Sequence, residues 1–321
     1  MRPQHIGLLL PVLSGILLFV AACAQATPTP PPTPEPTAVD YSRPGLLVTT
    51  QWLEERLGSP DFVLLDARSA ERYGRGHIPG AVLIDEALTW EPESQVNRIV
   101  GPPDVTKEVL ESLGVSDESQ VVIYDDSGGL WAARIFWMLD YYGLQRIAIL
   151  NGGFPKWKTG DRAVTADVPQ VSRGNFNPVA QPEKLATQDY ILERLDDVNV
   201  GICDTRSQAE YEGTDVRSQR GGHIPGSQNV EWLVNLNPDG TFKPQPELEH
   251  LYAAAGLNPD KEVIPLCQTG VRSAHTYFTL RLIGYPQVRL YDASWEEWGN
   301  DPSTPVKTGP GKPGRPLHRH H

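Results

Sequence analysis

The chain has 321 residues, 39% hydrophobic and 21% charged, with three cysteines. That length suits two domains of about 150 residues each, and the composition excludes a disulfide-stapled miniprotein or a wholly disordered chain. The 28 basic and 40 acidic residues leave a net charge of −12, a sign that opposes phosphate backbones and argues against nucleic acid as a partner.

In chain order, residues 1–22 read as a signal peptide. Arg2 and His5 lead into the apolar stretch 6–20, then small residues, a run too short and wrongly flanked for a permanent span. Val20-Ala21-Ala22-Cys23 resembles the bacterial lipobox. That resemblance implies cleavage before Cys23, a lipid on its sulfur, and an exported body held at the cell membrane only by that anchor. A plain secretory signal with an incidental Cys23 is the alternative. Residues 23–43 are rich in proline and threonine and read as an extended tether. Residues 301–321 are again rich in proline and glycine and close on His318, His320 and His321. They read as a disordered tail rather than a metal site.

The body between is a repeat. FVLLDARSAERYGRGHIPG at 62–80 returns as VGICDTRSQAEYEGTDVRSQRGGHIPG at 200–226, VVIYD at 121–125 as VIPLC at 263–267, and LNGGFPKW at 150–157 as LYDASWEEW at 290–298. A near-constant offset predicts two like domains, 44–160 and 183–300, joined by a polar linker at 161–182. Residues 52–57 and 132–139 have helical patterns, whereas 62–65 and 120–124 are continuous apolar runs suited to parallel strands buried on both faces. The alternation predicts an α/β layer fold. Ligands of such sheets gather at strand carboxyl ends, beside helix N-termini, which means just after Tyr124 and just after Leu266.

At the second of these points stands Cys267, in the loop Cys267-Gln268-Thr269-Gly270-Val271-Arg272-Ser273, followed by a helical pattern. Successive backbone N–H groups of such a loop converge on an anion. Arg272 adds a positive charge, and both effects lower a thiol's pKa and favour the thiolate nucleophile. Gly270 permits the tight turn. The first copy has Asp125-Asp126-Ser127-Gly128-Gly129-Leu130 at the matching place, without thiol or arginine. A cysteine that merely filled a core would have no reason to exchange with aspartate.

Two copies of D-x-R…HIPG, the Cys267 loop in the second copy only, and Tyr291-Asp292-Ala293-Ser294-Trp295…Trp298 resemble the tandem-domain rhodanese family of thiosulfate and 3-mercaptopyruvate sulfurtransferases. The resemblance covers about residues 46–298. It implies two domains, each a five-stranded parallel sheet flanked by helices, the first non-catalytic. It implies ping-pong transfer of sulfur from a small anionic donor to cyanide or a thiol, such as that of a thioredoxin-like protein, through a Cys267 persulfide. No metal or organic cofactor is implied. Gln268 to Ser273 would bind the donor, and Thr269 keeps the hydroxyl that mercaptopyruvate enzymes place there on serine.

Departures are informative. Members of the animal thiosulfate type follow the cysteine with arginine and lysine, where Gln268 and Thr269 are neutral. A common anion-binding arginine aligns with Glu210, which leaves Arg217 or Arg220 to supply the missing charge. The carboxylate some members bring from domain one aligns with Ala87, with Asp85 nearby. Arg272 is charged where mercaptopyruvate loops commonly have a small residue, which leans the expected donor towards thiosulfate. His77 and His223, the pairs Asp66/Arg68 and Asp204/Arg206, and Cys203 read as structural, although sequence leaves a Cys203–Cys267 disulfide open. Two other readings remain. A Cys-loop phosphatase would need one more residue between Cys267 and Arg272, and a non-catalytic binding module would have no use for the intact thiol.

Overall fold

The computed structural model describes residues 41–311; the signal peptide, Cys23, most of the tether and the closing histidines lie outside them. The first copy runs β1 (Leu47–Val48), α1 (Thr50–Glu54), β2 (Phe62–Asp66), α2 (Ala70–Gly74), β3 (Ala81–Leu83), α3 (Pro103–Ser112), β4 (Gln120–Tyr124), α4 (Leu130–Tyr141), β5 (Ile147–Leu150) and α5 (Gly153–Thr159). Its five strands form one parallel sheet in the order β1-β5-β4-β2-β3. The central strand β4 is buried on both faces because helices cover each side, so its sequence shows no alternation.

The second copy repeats this with β6 (Leu185–Ala186), α6 (Gln188–Leu192), β7 (Val200–Asp204), α7 (Gln208–Glu212), β8 (Gln228–Asn229), α8 (Gln245–Ala254), β9 (Glu262–Leu266), α9 (Val271–Leu282), β10 (Leu290–Tyr291) and α10 (Ser294–Trp298). Its sheet is less regular than the five-stranded expectation. The ladders are β8-β7-β9 and β10-β6, joined between β9 and β10 by a single parallel bridge at Val263 and Val288. Pro265, in the middle of β9, has no N–H to donate, which is a local reason for the weaker ladder.

α4 and α9 each place one face on their own sheet and the other on each other, and Phe136 meets Phe278 edge to face at 4.9 Å. Both helices are therefore apolar or buried nearly all round, as a helix inside a core must be. The largest hydrophobic cluster runs without a break from Leu65 and Ile123 of the first domain to Tyr277 and Leu290 of the second. A shared core of this kind fixes the two domains as one packing unit.

Two expected boundaries move. Tyr41, placed in the tether, is buried, and its hydroxyl donates to the Lys243 carbonyl at 3.0 Å. The expected tail is packed through residue 311: Lys307 pairs with His223, and Trp298 Nε1 donates to Pro305 O at 2.9 Å. Composition misleads here because proline and glycine also suit a strap that follows the surface while its backbone bonds to His223 and Glu212.

Candidate active site

Cys267 is the first residue beyond β9 and only 1% exposed. The turn from strand to helix is fixed from behind by the start of α10. Ser294 Oγ accepts from the N–H of Cys267 at 3.1 Å and of Gly270 at 3.2 Å, and donates to Tyr291 O. The N–H groups of Trp295 and Glu296 bond the carbonyls of Cys267 and Gln268, each at 3.0 Å. Both backbone groups of the cysteine are thus held, which makes its thiol part of a rigid frame. Gly270 has φ +78°, and a Cβ there would stand 2.5 Å from Asp292 Oδ1. The glycine is required twice, by conformation and by space.

Burial pushes the Cys267 thiol up, but the charge of Arg272, the Ser273 hydroxyl and the N–H groups of Ser273 and Thr269 outweigh it, and the thiol lies below its ordinary pKa. Ser273 Oγ sits 3.5 Å from Sγ. The first copy shows what this loop geometry is built to hold. There Asp125 turns its own carboxylate into the loop and accepts from the N–H groups of Ser127 and Gly129 on Oδ1 and of Trp131 and Ala132 on Oδ2, at 2.7–3.1 Å. The strand-to-helix turn of both copies aims N–H groups at one point, which holds the Asp125 carboxylate in the first and the Cys267 sulfur in the second.

The loop residues named from sequence, Gln268, Thr269, Gly270, Val271, Arg272 and Ser273, lie together around Cys267. Arg272, expected to add a positive charge to the loop, is paired. Its terminal nitrogens bond both oxygens of Glu210 at 2.7 and 2.8 Å. Burial alone would raise the Glu210 carboxyl, yet Arg272 and the Ser207 hydroxyl bring it down to about 2. The acidic residue that departs from the family pattern is therefore the partner that positions the loop arginine, in a capping box on α7.

Arg217 reaches the cleft above Thr269, held by Asp215 at 2.7 Å and 3.4 Å from Glu210. Arg220 is corrected to a structural role. It donates to the carbonyls of Gly299, Trp298, Asp301 and Thr304 and to the Thr304 hydroxyl, so its guanidinium is consumed in tying down the C-terminal strap. Asp85 caps its own short turn through Ala87 N–H. Cys203 and Cys267 are both free thiols. Cys203 is enclosed with Leu248 and Tyr252, and burial pushes its thiol up. His77 and His223 stack on Tyr73 and Tyr211 at 3.8 Å, while Arg68 and Arg206 bond both their aspartates and the carbonyls of Gly76 and Gly222.

Sequence reasoning missed the first domain's share of this cleft. Trp90, Asn97 and Arg98 face Gln268, Thr269 and Glu296 across it. Arg98 Nη1 donates to Thr269 Oγ1 at 3.3 Å, and Asn97 Nδ2 donates to Glu296 Oε1. These residues come from an irregular segment without periodicity, which carries no signal of where it folds. Behind them Asp292 Oδ1 pairs with Arg134 at 2.5 Å and Oδ2 accepts from Val100 N–H at 2.8 Å. Among the described residues, no three His, Cys, Asp or Glu side chains are grouped to hold a metal ion.

The model of the rhodanese-like domain matches the chain twice, at residues 49–159 and 187–301. A thiosulfate sulfurtransferase of Azotobacter vinelandii is 37% identical over 268 residues, which is 84% of this chain and 99% of that protein. A sulfur carrier protein of Thermus thermophilus is 37% identical over 284 residues, with 84% and 99% covered. Among solved structures, the anaerobic ergothioneine biosynthesis enzyme of Chlorobium limicola superposes with a TM-score of 0.77 at 27% identity, covering 84% of this chain and 71% of that one.

Proposed function

The chain belongs to the rhodanese family, and from that premise we propose that it is a sulfurtransferase which carries sulfur on Cys267. The observation that bears most weight is the buried thiol with a lowered pKa, standing where the first copy closes its anion cradle with Asp125. The Cys267 thiolate attacks the outer sulfur of thiosulfate. As the new S–S bond forms, the old one breaks and its electron pair leaves with sulfite. The persulfide anion then rests against the loop N–H groups. Cyanide or a thiolate attacks the terminal sulfur, takes it as thiocyanate or a new persulfide, and returns the Cys267 thiolate.

A phosphatase is disfavoured by the same geometry. Both terminal nitrogens of Arg272 are engaged by Glu210 and do not present a fork to a phosphoryl group. Incubating the protein with thiosulfate, 3-mercaptopyruvate and phenyl phosphate in separate samples tests the reading. A gain of one sulfur atom on Cys267, absent in Cys267→Ser, is expected with a sulfur donor. No adduct with either donor overturns it.

The reading includes export and a lipid anchor on Cys23, supported by the leader sequence. Fatty-acid labelling of the cells should mark the wild-type chain and not Cys23→Ala. Labelling of both, or of neither, removes the anchor from the proposal.

A further inference from the structure

Resting on the sulfurtransferase reading, we propose that Arg98, from the catalytically silent first domain, is the residue that binds the oxyanion end of the sulfur donor, with Trp90 Nε1 beside it.

The charge balance of the cleft calls for such a group. Arg272 is matched by Glu210 and Arg217 by Asp215, so the two second-domain cations bring little net positive charge to an anionic donor. Among the described residues Arg98 forms no ion pair, and its Nε is buried without a hydrogen-bond partner. Trp90 Nε1 is another buried donor left unmatched on the same wall. Buried donors in native proteins are nearly always satisfied, and these two, on residues that line one cleft, are left for an acceptor that enters it. The adjacent Nη1 of Arg98 reaches Thr269, two residues past the nucleophile. A donor held by this wall lies over the loop that carries Cys267.

The backbone supplies an independent argument. Arg98 has φ +63°, a conformation costly for a residue with a Cβ. The pseudo-symmetric position in the second copy can be located from paired contacts. Trp90 bridges Val100, and Leu236 bridges Phe242. Val100 N–H donates to Asp292 across the domain boundary, and Phe242 N–H donates to Asn151. Two residues before these stand Arg98 and Gly240, the latter with φ +79°. Gly240 leans over the silent loop, where a Cβ on it would lie 3.9 Å from the Gly128 Cα. The same turn thus carries the expected glycine over the silent loop and a strained arginine over the active one. Its carbonyl accepts from Arg134, so the Arg134–Asp292 pair holds the turn in place. Among the described residues lining this cleft the carboxylate is Glu296, whose Oε2 is buried without a partner; the Glu86 carboxyl also feels Arg98.

Arg98→Gly is the informative variant, because it restores the residue the turn geometry prefers. Three readouts on the full chain are compared: thermal unfolding, the thiosulfate dependence of Cys267 sulfur loading, and cyanide discharge of the preloaded persulfide. Expected are an unfolding temperature no lower than wild type, a half-saturating thiosulfate concentration raised about 10- to 100-fold, as loss of a charge-assisted bond implies, and unchanged discharge. Arg98→Lys should recover part of the affinity, and Glu296→Gln should strengthen it. Unchanged thiosulfate dependence in Arg98→Gly, or loading and discharge falling together with earlier unfolding, overturns the proposal. Calorimetric binding of thiosulfate to Cys267→Ser, with and without Arg98→Gly, separates this idea from the function it rests on. Binding that needs Arg98 in a protein whose Cys267 never gains sulfur sustains Arg98 and sinks the sulfurtransferase reading. Binding indifferent to Arg98, with Cys267 of the wild-type chain gaining sulfur, does the reverse, and no binding in either chain overturns the Arg98 proposal.

Discussion

Asp125 and Cys267 occupy the same point of the two copies, each the first residue beyond the central strand of its sheet. Asp125 accepts four backbone N–H groups on its carboxylate, whereas the Cys267 sulfur takes those of Ser273 and Thr269. In the first copy an internal carboxylate thus satisfies the N–H groups of the loop.

Asp125→Asn tests that substitution of ligand by side chain. The amide nitrogen would face N–H donors in place of an acceptor, leaving buried groups unsatisfied at roughly 1–3 kcal/mol each. A stability loss of about 2–4 kcal/mol in urea unfolding is expected, with sulfur loading on Cys267 intact. A neutral substitution would show that the loop does not depend on an anion.

The pairing of Glu210 with Arg272 is expected to bear on the pH dependence of Cys267 loading. The reactive species is the thiolate, whose fraction falls as pH drops through the Cys267 pKa, and Arg272 lowers that pKa. Arg272→Ala should move the acid limb of the loading rate to higher pH. Glu210→Gln frees the arginine's charge from its counter-ion and should move that limb lower. Stability responds separately. With Glu210 held at about 2, its contribution is complete above the ordinary carboxylate range and drains away as pH falls towards 2. Glu210→Gln should lack that acid-limb loss of stability. Acid limbs that coincide in all three proteins would remove Arg272 from control of the thiol.

Arg134 and Asp292 join the domains beside Gly270 at 2.5 Å, both nearly fully buried. Arg134→Met leaves the carboxylate with Val100 N–H alone and should cost about 3–5 kcal/mol. Arg134→Met combined with Asp292→Asn should be less harmful than the single change, since the uncompensated charge is gone. A double-mutant cycle by urea unfolding reads the coupling; additive losses would mean the pair is not a latch.

Local and repeated features were legible without a structure. Continuous apolar runs marked the parallel strands, the HIPG repeat marked two domains, and the exchange of Asp125 for Cys267 at matched strand ends singled out the candidate nucleophile. Each of these is a property of residues close in sequence or of one copy set against the other. What the tertiary structure alone decided involves side chains brought together from distant segments. Glu210 becomes the partner of Arg272, Arg220 ties the C-terminal strap, and Arg98 crosses from the silent domain to Thr269. The physical reason is that charge and hydrogen-bond partners in a folded site are chosen by proximity across loops. The 90–101 segment that brings Arg98 carries no period that pattern reading could detect. The net charge of −12 shows the same limit: it describes the whole chain, while the cleft beside Thr269 is set by the few groups that folding brings there.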